Sequence, residues 1–342
     1  MHEISEIRAQ VVAGEKHGGN LAEARRLFPR APEPWLDLSA AANPHAYPFA
    51  ELYPEVFARL PEEADQRRLE SAAAEFYGVG DAACVVAAAG TQALLQWLPQ
   101  LIRATRVGVL GFTYSEHART WRNAGANVQT CESLDELADA DVAVVVNPNN
   151  PDGRLVPAAD LADLAARLAK RGGFLAVDEA FIDFLPRAAS LVSALPSAGS
   201  IVLRSFGKTF GLPGLRLGFA IAPRAICAKL RAALGPWPVS GAAIAIGREA
   251  FADEAWLAAT HALVAADAAQ LDAILVEAGL MPVGGTPLFR LSSHSDAAAM
   301  FERLGRGGIW ARRFAERPEW LRFSIPWGQA QFRRLRGELN CS

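Results

Sequence analysis

Four cysteines in 342 residues, all far apart and with no C-x-x-C pair, argue against a disulfide framework or a structural zinc site. No stretch approaches the ~18 uninterrupted apolar residues expected of a membrane-crossing helix. The opening residues, M-H-E-I-S-E-I-R, lack the apolar centre of a secretory signal. Charge of one sign is missing too. Lys and Arg number 34 against 37 Asp and Glu, a net −3 spread along the chain. That pattern suits neither a nucleic-acid groove nor a polybasic membrane surface. Internal repeats are absent. The expectation is a cytoplasmic protein of a reducing compartment, with no metal, nucleic-acid or membrane partner.

A hydrophobic share of 51% marks a folded chain with a large core, and 342 residues exceed what one core usually organises. Short apolar runs at 83–88, 107–110, 142–146, 174–177, 201–203 and 219–221 predict buried strands. The segments 91–104 and 158–169 between them predict helices, so an α/β layered domain follows. The first 40 residues read as an arm: a short helix, then H-G-G-N at 17–20, then a proline-rich stretch. W-P-V-S-G at 237–241 reads as a hinge, followed by an alanine-rich helix over about 247–278 and a strand–helix–strand tail. The expected division is an arm over 1–40 joining the small domain, a large domain over 41–240 and a small domain over 241–342.

The most telling segment is S-F-G-K-T-F-G-L-P-G-L-R-L-G at 205–218. Lys208 sits between Ser205 and Arg216, with four glycines and a proline around them. A lysine amine can form a Schiff base with an aldehyde cofactor, and serine and arginine are residue types that hold a phosphate.

Four other motifs fit that idea. A-A-G-T-Q at 88–92 ends a strand and opens a helix, where free N–H groups and the helix dipole favour an anion. An ordinary strand–helix turn has the same look. Tyr114, in G-F-T-Y-S, follows the next strand and can stack on a flat ring, or simply pack. V-V-V-N-P-N-N-P-D-G at 144–153 sets Asn150 at a strand's carboxyl end, where open α/β sheets bind ligands. N-P and D-G are also plain turn dipeptides. Asp178 ends an apolar run in L-A-V-D-E-A-F, where an unpaired carboxylate would be costly. A pyridinium N–H would suit it as partner and act as an electron sink; capping the next helix is the other role open to it.

In this order, with Lys208 following, the motifs resemble the fold-type I pyridoxal-phosphate enzymes of the class I/II aminotransferase superfamily, over His17 to Pro326. The resemblance implies a large domain with a mostly parallel seven-stranded sheet between helices, plus a smaller α/β domain. It implies pyridoxal 5′-phosphate as cofactor, with Lys208 as its Schiff-base lysine and Asp178 as partner of the ring nitrogen. Asn150 matches the donor to the ring oxygen and Tyr114 the stacking aromatic. Gly90, Thr91, Gln92, Ser205 and Arg216 match the phosphate cup. Arg322, in L-R-F-S, matches the clamp on a substrate carboxylate. A homodimer with shared active sites is also implied.

Within that superfamily, H-G-G-N followed by L-D-L-S-A-A-A-N-P resembles the threonine-phosphate decarboxylases of cobalamin biosynthesis. So does Phe181, where many aminotransferases carry a tyrosine. Arg312, in G-I-W-A-R, matches an arginine that binds a substrate's own phosphate in related enzymes. His17, Gly18 and Gly19 can close over that phosphate, or form a flexible turn. O-phospho-L-threonine, a phosphorylated amino acid, is the implied substrate. A histidinol-phosphate aminotransferase is the alternative, and a non-catalytic aminotransferase-like regulator another. Two positions depart from the pattern. Leu60 stands where the family has a tyrosine that reaches the partner subunit's cofactor, leaving Tyr47 or Tyr53 to substitute. Ala41 stands where the family has an asparagine.

Overall fold

The computed structural model describes residues 17–195 and 199–340. The short helix expected ahead of H-G-G-N lies outside the described residues. In chain order the strands are β1 (Leu36–Asp37), β2 (Val85–Ala88), β3 (Arg106–Leu110), β4 (Asn127–Cys131), β5 (Val142–Val146), β6 (Phe174–Asp178), β7 (Ser200–Ser205), β8 (Gly218–Ile221), β9 (Met281–Thr286), β10 (Phe289–Ser293), β11 (Ile309–Trp310), β12 (Arg312–Arg313) and β13 (Trp320–Ser324). Ala46–Ala259 form one compact unit. The described residues up to His45 and from Thr260 onward form the other.

The larger unit is built on a seven-stranded sheet of order β2-β8-β7-β6-β5-β3-β4. Every neighbouring pair is parallel except those made by β8, which runs against both β2 and β7. Strands β2, β5, β6 and β8 are buried at every position, as their Val, Ala, Leu and Ile content requires of a sheet covered on both faces. The six expected strands are all present. β4, N-V-Q-T-C, escapes the sequence pattern because it is an edge strand with mostly exposed polar residues. The expected helix 247–278 is two helices, Gly241–Ala252 and Glu254–Glu277. Asp253 interrupts them, its carboxylate accepting from the Trp256 N–H (2.9 Å) as a helix cap does. Helix Gly241–Ala252 buries Ile244, Ile246 and Phe251 in the core of the larger unit, so the junction between units falls at 259/260.

The smaller unit has an antiparallel sheet of order β12-β13-β10-β9 and a short parallel pairing of β1 with β11. Helix Glu254–Glu277, in which the junction falls, is long and apolar enough by length and composition to cross a membrane. Its Ala268, Leu271, Ile274 and Leu275, spaced as one helical face, pack with Phe301, Phe323 and Phe332 in the core of the smaller unit.

Candidate active site

Parallel pairing decides where the candidate residues of the larger unit go. β6 ends at Asp178, in register with Val146 of β5 and with Leu203 of β7. β2 opposes β8, which opposes β7, so β2 runs with the parallel set. The carboxyl ends of β2, β5, β6 and β7 therefore share one edge, where open α/β sheets bind ligands. Gly90 and Thr91 follow β2, Asn150 follows β5, Asp178 ends β6, and Ser205 ends β7 with Lys208 three residues on.

Gly90 stands at the head of helix Thr91–Leu101, with φ +82° and no side chain capping the first turn. A Cβ on Gly90 would lie 2.5 Å from Arg216 Nη2, so only glycine lets the guanidinium come this close. Gly218 pairs with both Ala88 and Ser205, so the Gly90 turn and Ser205 flank it. Arg216 itself is left-handed (φ 55°), a strained conformation for arginine of the kind found at ligand sites. Its Nη1 donates to the Pro213 carbonyl (3.0 Å). An uncapped helix start, a serine and a guanidinium beside a glycine make a suitable seat for a phosphate.

Asp178 is buried, with Oδ2 2.9 Å from His117 Nε2 and Oδ1 accepting from the Ala180 N–H (3.0 Å). Tyr114 precedes helix Ser115–Asn123, and its ring centre is 6.0 Å from that of His117. The Tyr114 hydroxyl donates to Gln92 Oε1 (3.2 Å), while Gln92 Nε2 donates to Glu116 Oε2 (2.9 Å). His117 stands in no motif of the sequence. Its one signal is spacing: three residues after Tyr114 on a helix, it faces the same side.

Among the loop amides, Asn147 exchanges two hydrogen bonds with the Val156 backbone, and Asn149 donates to the Phe112 carbonyl and to Asp152. Both shape the loop that presents the partly buried Asn150. The Lys208 ammonium lies 5.4 Å from the centre of the Phe181 ring. A lysine, a buried carboxylate, a partly buried aromatic and a phosphate seat at one sheet edge fit pyridoxal 5′-phosphate by donor chemistry. Of the two tyrosines that could replace the one missing at Leu60, Tyr47 is buried against Phe210 and Trp256, while Tyr53 is 79% exposed. Burial and the nearby Glu249 and Asp253 push the Tyr47 hydroxyl up to about 12.

In the smaller unit, Arg312 and Arg322 are direct cross-strand partners on β12 and β13. Arg322 is buried, its Nη2 donates to the Ser39 carbonyl (2.7 Å), and its guanidinium lies 5.1 Å from the Phe289 ring centre. Burial, with the Arg312 charge added, pushes its pKa down to about 9. Like charges set opposite one another on adjacent strands are unfavourable, and an anion relieves them. H-G-G-N is an ordered turn. Asn20 caps helix Leu21–Leu27, and a Cβ on Gly18 would lie 2.1 Å from the Ser39 carbonyl oxygen. The Gly19 N–H donates to the Ser39 hydroxyl (2.8 Å), so this amide already serves the turn; the hydroxyl in turn donates to Asp37 Oδ1 (2.6 Å). His17 is exposed at the head of the turn. Among the described residues no group of His, Cys, Asp and Glu is arranged to hold a metal.

Residues 57–335 match the family model for aminotransferase class I and II. A threonine-phosphate decarboxylase of Pseudomonas aeruginosa is 41% identical over 94% of this chain and 96% of its own length. Another, from a Sinorhizobium species, is 40% identical over 93% of this chain and 96% of its own length. The histidinol-phosphate aminotransferase of Sinorhizobium meliloti, solved in complex with pyridoxal-5′-phosphate, shares the fold with a TM-score of 0.79 at 21% identity, covering 96% of this chain and 97% of that one.

Proposed function

This chain belongs to the class I and II aminotransferase family, and from that premise we propose that it decarboxylates O-phospho-L-threonine. The products are CO2 and (R)-1-amino-2-propanol O-2-phosphate, a precursor in cobalamin biosynthesis. The observation that carries this reading is the cross-strand pair Arg312 and Arg322, which suits a substrate bearing two anionic groups. The two relatives at 40% and 41% identity support it.

Pyridoxal 5′-phosphate supplies an aldehyde for the substrate amine and a ring that takes up the electron pair left by departing CO2. Gly90, Thr91, Gln92, Ser205 and Arg216 would bind its phosphate. Asn150 would donate to the ring oxygen, Tyr114 would cover the ring, and Asp178 would hold a proton on the ring nitrogen. His117 fixes the Asp178 carboxylate in place. Lys208 would hold the cofactor, and its amine would be the group placed to give a proton to the substrate Cα. Arg322 would grip the carboxylate and Arg312 the phosphate, with His17 and the Gly18–Gly19 turn proposed to flank the latter. Phe181 has no hydroxyl to offer the ring oxygen.

The chain acts as a cytoplasmic homodimer. Exposed apolar residues crowded into one stretch, Phe49, Tyr53, Phe57 and Leu60, support the dimer, and Tyr53 is the residue exposed enough to reach a partner subunit. The test of the reaction is CO2 release from O-phosphothreonine by the purified holoenzyme. Transamination of histidinol phosphate with 2-oxoglutarate, without CO2, overturns it.

A further inference from the structure

Behind the lysine turn lies a group of buried charges that the proposed chemistry does not use. Arg204, just before Ser205, and Thr209, just after Lys208, are 6% and 1% exposed. Both reach one carboxylate. The Arg204 guanidinium pairs with Asp183 Oδ1, and the Thr209 hydroxyl donates to Asp183 Oδ2. A single side chain thus grips the turn at both ends. Arg204 is held from its other side as well. Its Nη1 donates to Glu179 Oε2 (3.0 Å), and its guanidinium lies 4.4 Å from the Tyr77 ring centre. Glu179 is anchored in turn by the Ser190 hydroxyl (2.6 Å) and the Leu191 N–H (2.7 Å).

Buried charges are a poor source of stability, because apolar residues of similar size usually serve as well. What charged hydrogen bonds add is direction. Asp183 lies two residues after Phe181, whose ring stands 5.4 Å from the Lys208 amine. One short segment therefore meets the lysine at its tip through Phe181 and braces the turn around its root through Asp183, which binds Arg204 and Thr209. We propose that Asp183, acting through Arg204 and Thr209, is a positioning residue that fixes the root of Lys208, so that the amine returns to one place in every turnover; this rests on the reading of Lys208 as the cofactor-linked lysine.

Thr209→Val removes the hydroxyl with little change of size, and Thr209→Ser restores it. In the holoenzyme, Thr209→Val is expected to lower kcat roughly 10- to 100-fold with KM for O-phosphothreonine nearly unchanged. It is also expected to weaken pyridoxal 5′-phosphate binding to the apoenzyme by about tenfold and to move the pH midpoint of the lysine-linked cofactor's absorbance by about half a unit. Thr209→Ser is expected to recover all three. Wild-type kcat, affinity and midpoint in Thr209→Val, or no recovery in Thr209→Ser, overturn the proposal. If Thr209→Val does not fold, Thr209→Ala is read in the same way. Loss of the fold in both makes the threonine a stability residue and overturns the proposal too. A wild-type enzyme with no Lys208-dependent absorbance sinks the underlying assignment of the lysine instead.

Discussion

In the larger unit Asp178 is met by His117 and the Ala180 N–H, whereas in the smaller unit Arg322 meets Arg312, a second positive charge, across a strand pair. The first arrangement satisfies its charge from within the protein. The second sets two like charges side by side, one of them buried, with the Asp37 carboxylate offsetting part of the cost at Arg322. The difference suits the roles proposed for each. A resident cofactor needs a frame that is rigid in its absence and presence alike. A substrate that arrives and leaves binds best where its own charge removes an unfavourable one.

The contrast can be broken at several points. Lys208→Ala is expected to cost roughly 10⁴-fold or more in CO2 release and to abolish the lysine-linked absorbance band, with the fold unchanged by circular dichroism. Arg312→Gln is expected to lower kcat/KM for phosphothreonine about 100-fold, as loss of a charged phosphate contact does. The same change should raise the stability of the ligand-free protein by up to about 1 kcal/mol in urea titration, since it removes repulsion. A loss of stability there would contradict the stored-repulsion account.

The pH profile separates the same two effects. Arg322 loses its proton as pH rises through about 9, so kcat/KM should fall about tenfold per unit beyond it. Stability moves the other way. The unfolded arginine keeps its proton well above that pH, so from about 9 upward the unfolded state binds more protons, and this group's unfavourable contribution fades as pH rises. Comparing wild type with Arg322→Met at pH 8 and pH 10 should show the variant's stability advantage shrinking. In the larger unit the sign is reversed. His117→Leu leaves Asp178 short of a partner and should cost about 1–3 kcal/mol in apoenzyme unfolding. The smallest effect is expected at Ala41, buried at φ 49°. Ala41→Gly relieves the left-handed strain, offset in part by the greater freedom of the unfolded chain, for a net gain of about 0.5 kcal/mol measured by thermal unfolding.

Much of the frame is legible in the sequence because buried parallel strands are written as short apolar runs. Val142–Val146 and Ala158–Ala169 match residue for residue. The class I/II fold and its cofactor are legible through the order of the motifs around Lys208. His117 is not, since its meeting with Asp178 depends on a helix and a strand end that only the sheet brings together. Nor is the Arg204–Asp183–Thr209 group. Its members are common residue types, and their shared carboxylate has no sequence signature. The break at Asp253 hides within an alanine-rich stretch in which each half is helical.

Strand β4 has a consequence of its own. An edge strand offers unpaired backbone groups to any passing chain, and a long apolar edge invites fibrous or amorphous association. Asn127, Gln129 and Thr130 line this edge with exposed polar groups, and Glu132 follows at its end. The same polarity that disguises β4 as a loop makes it a poor template for aggregation.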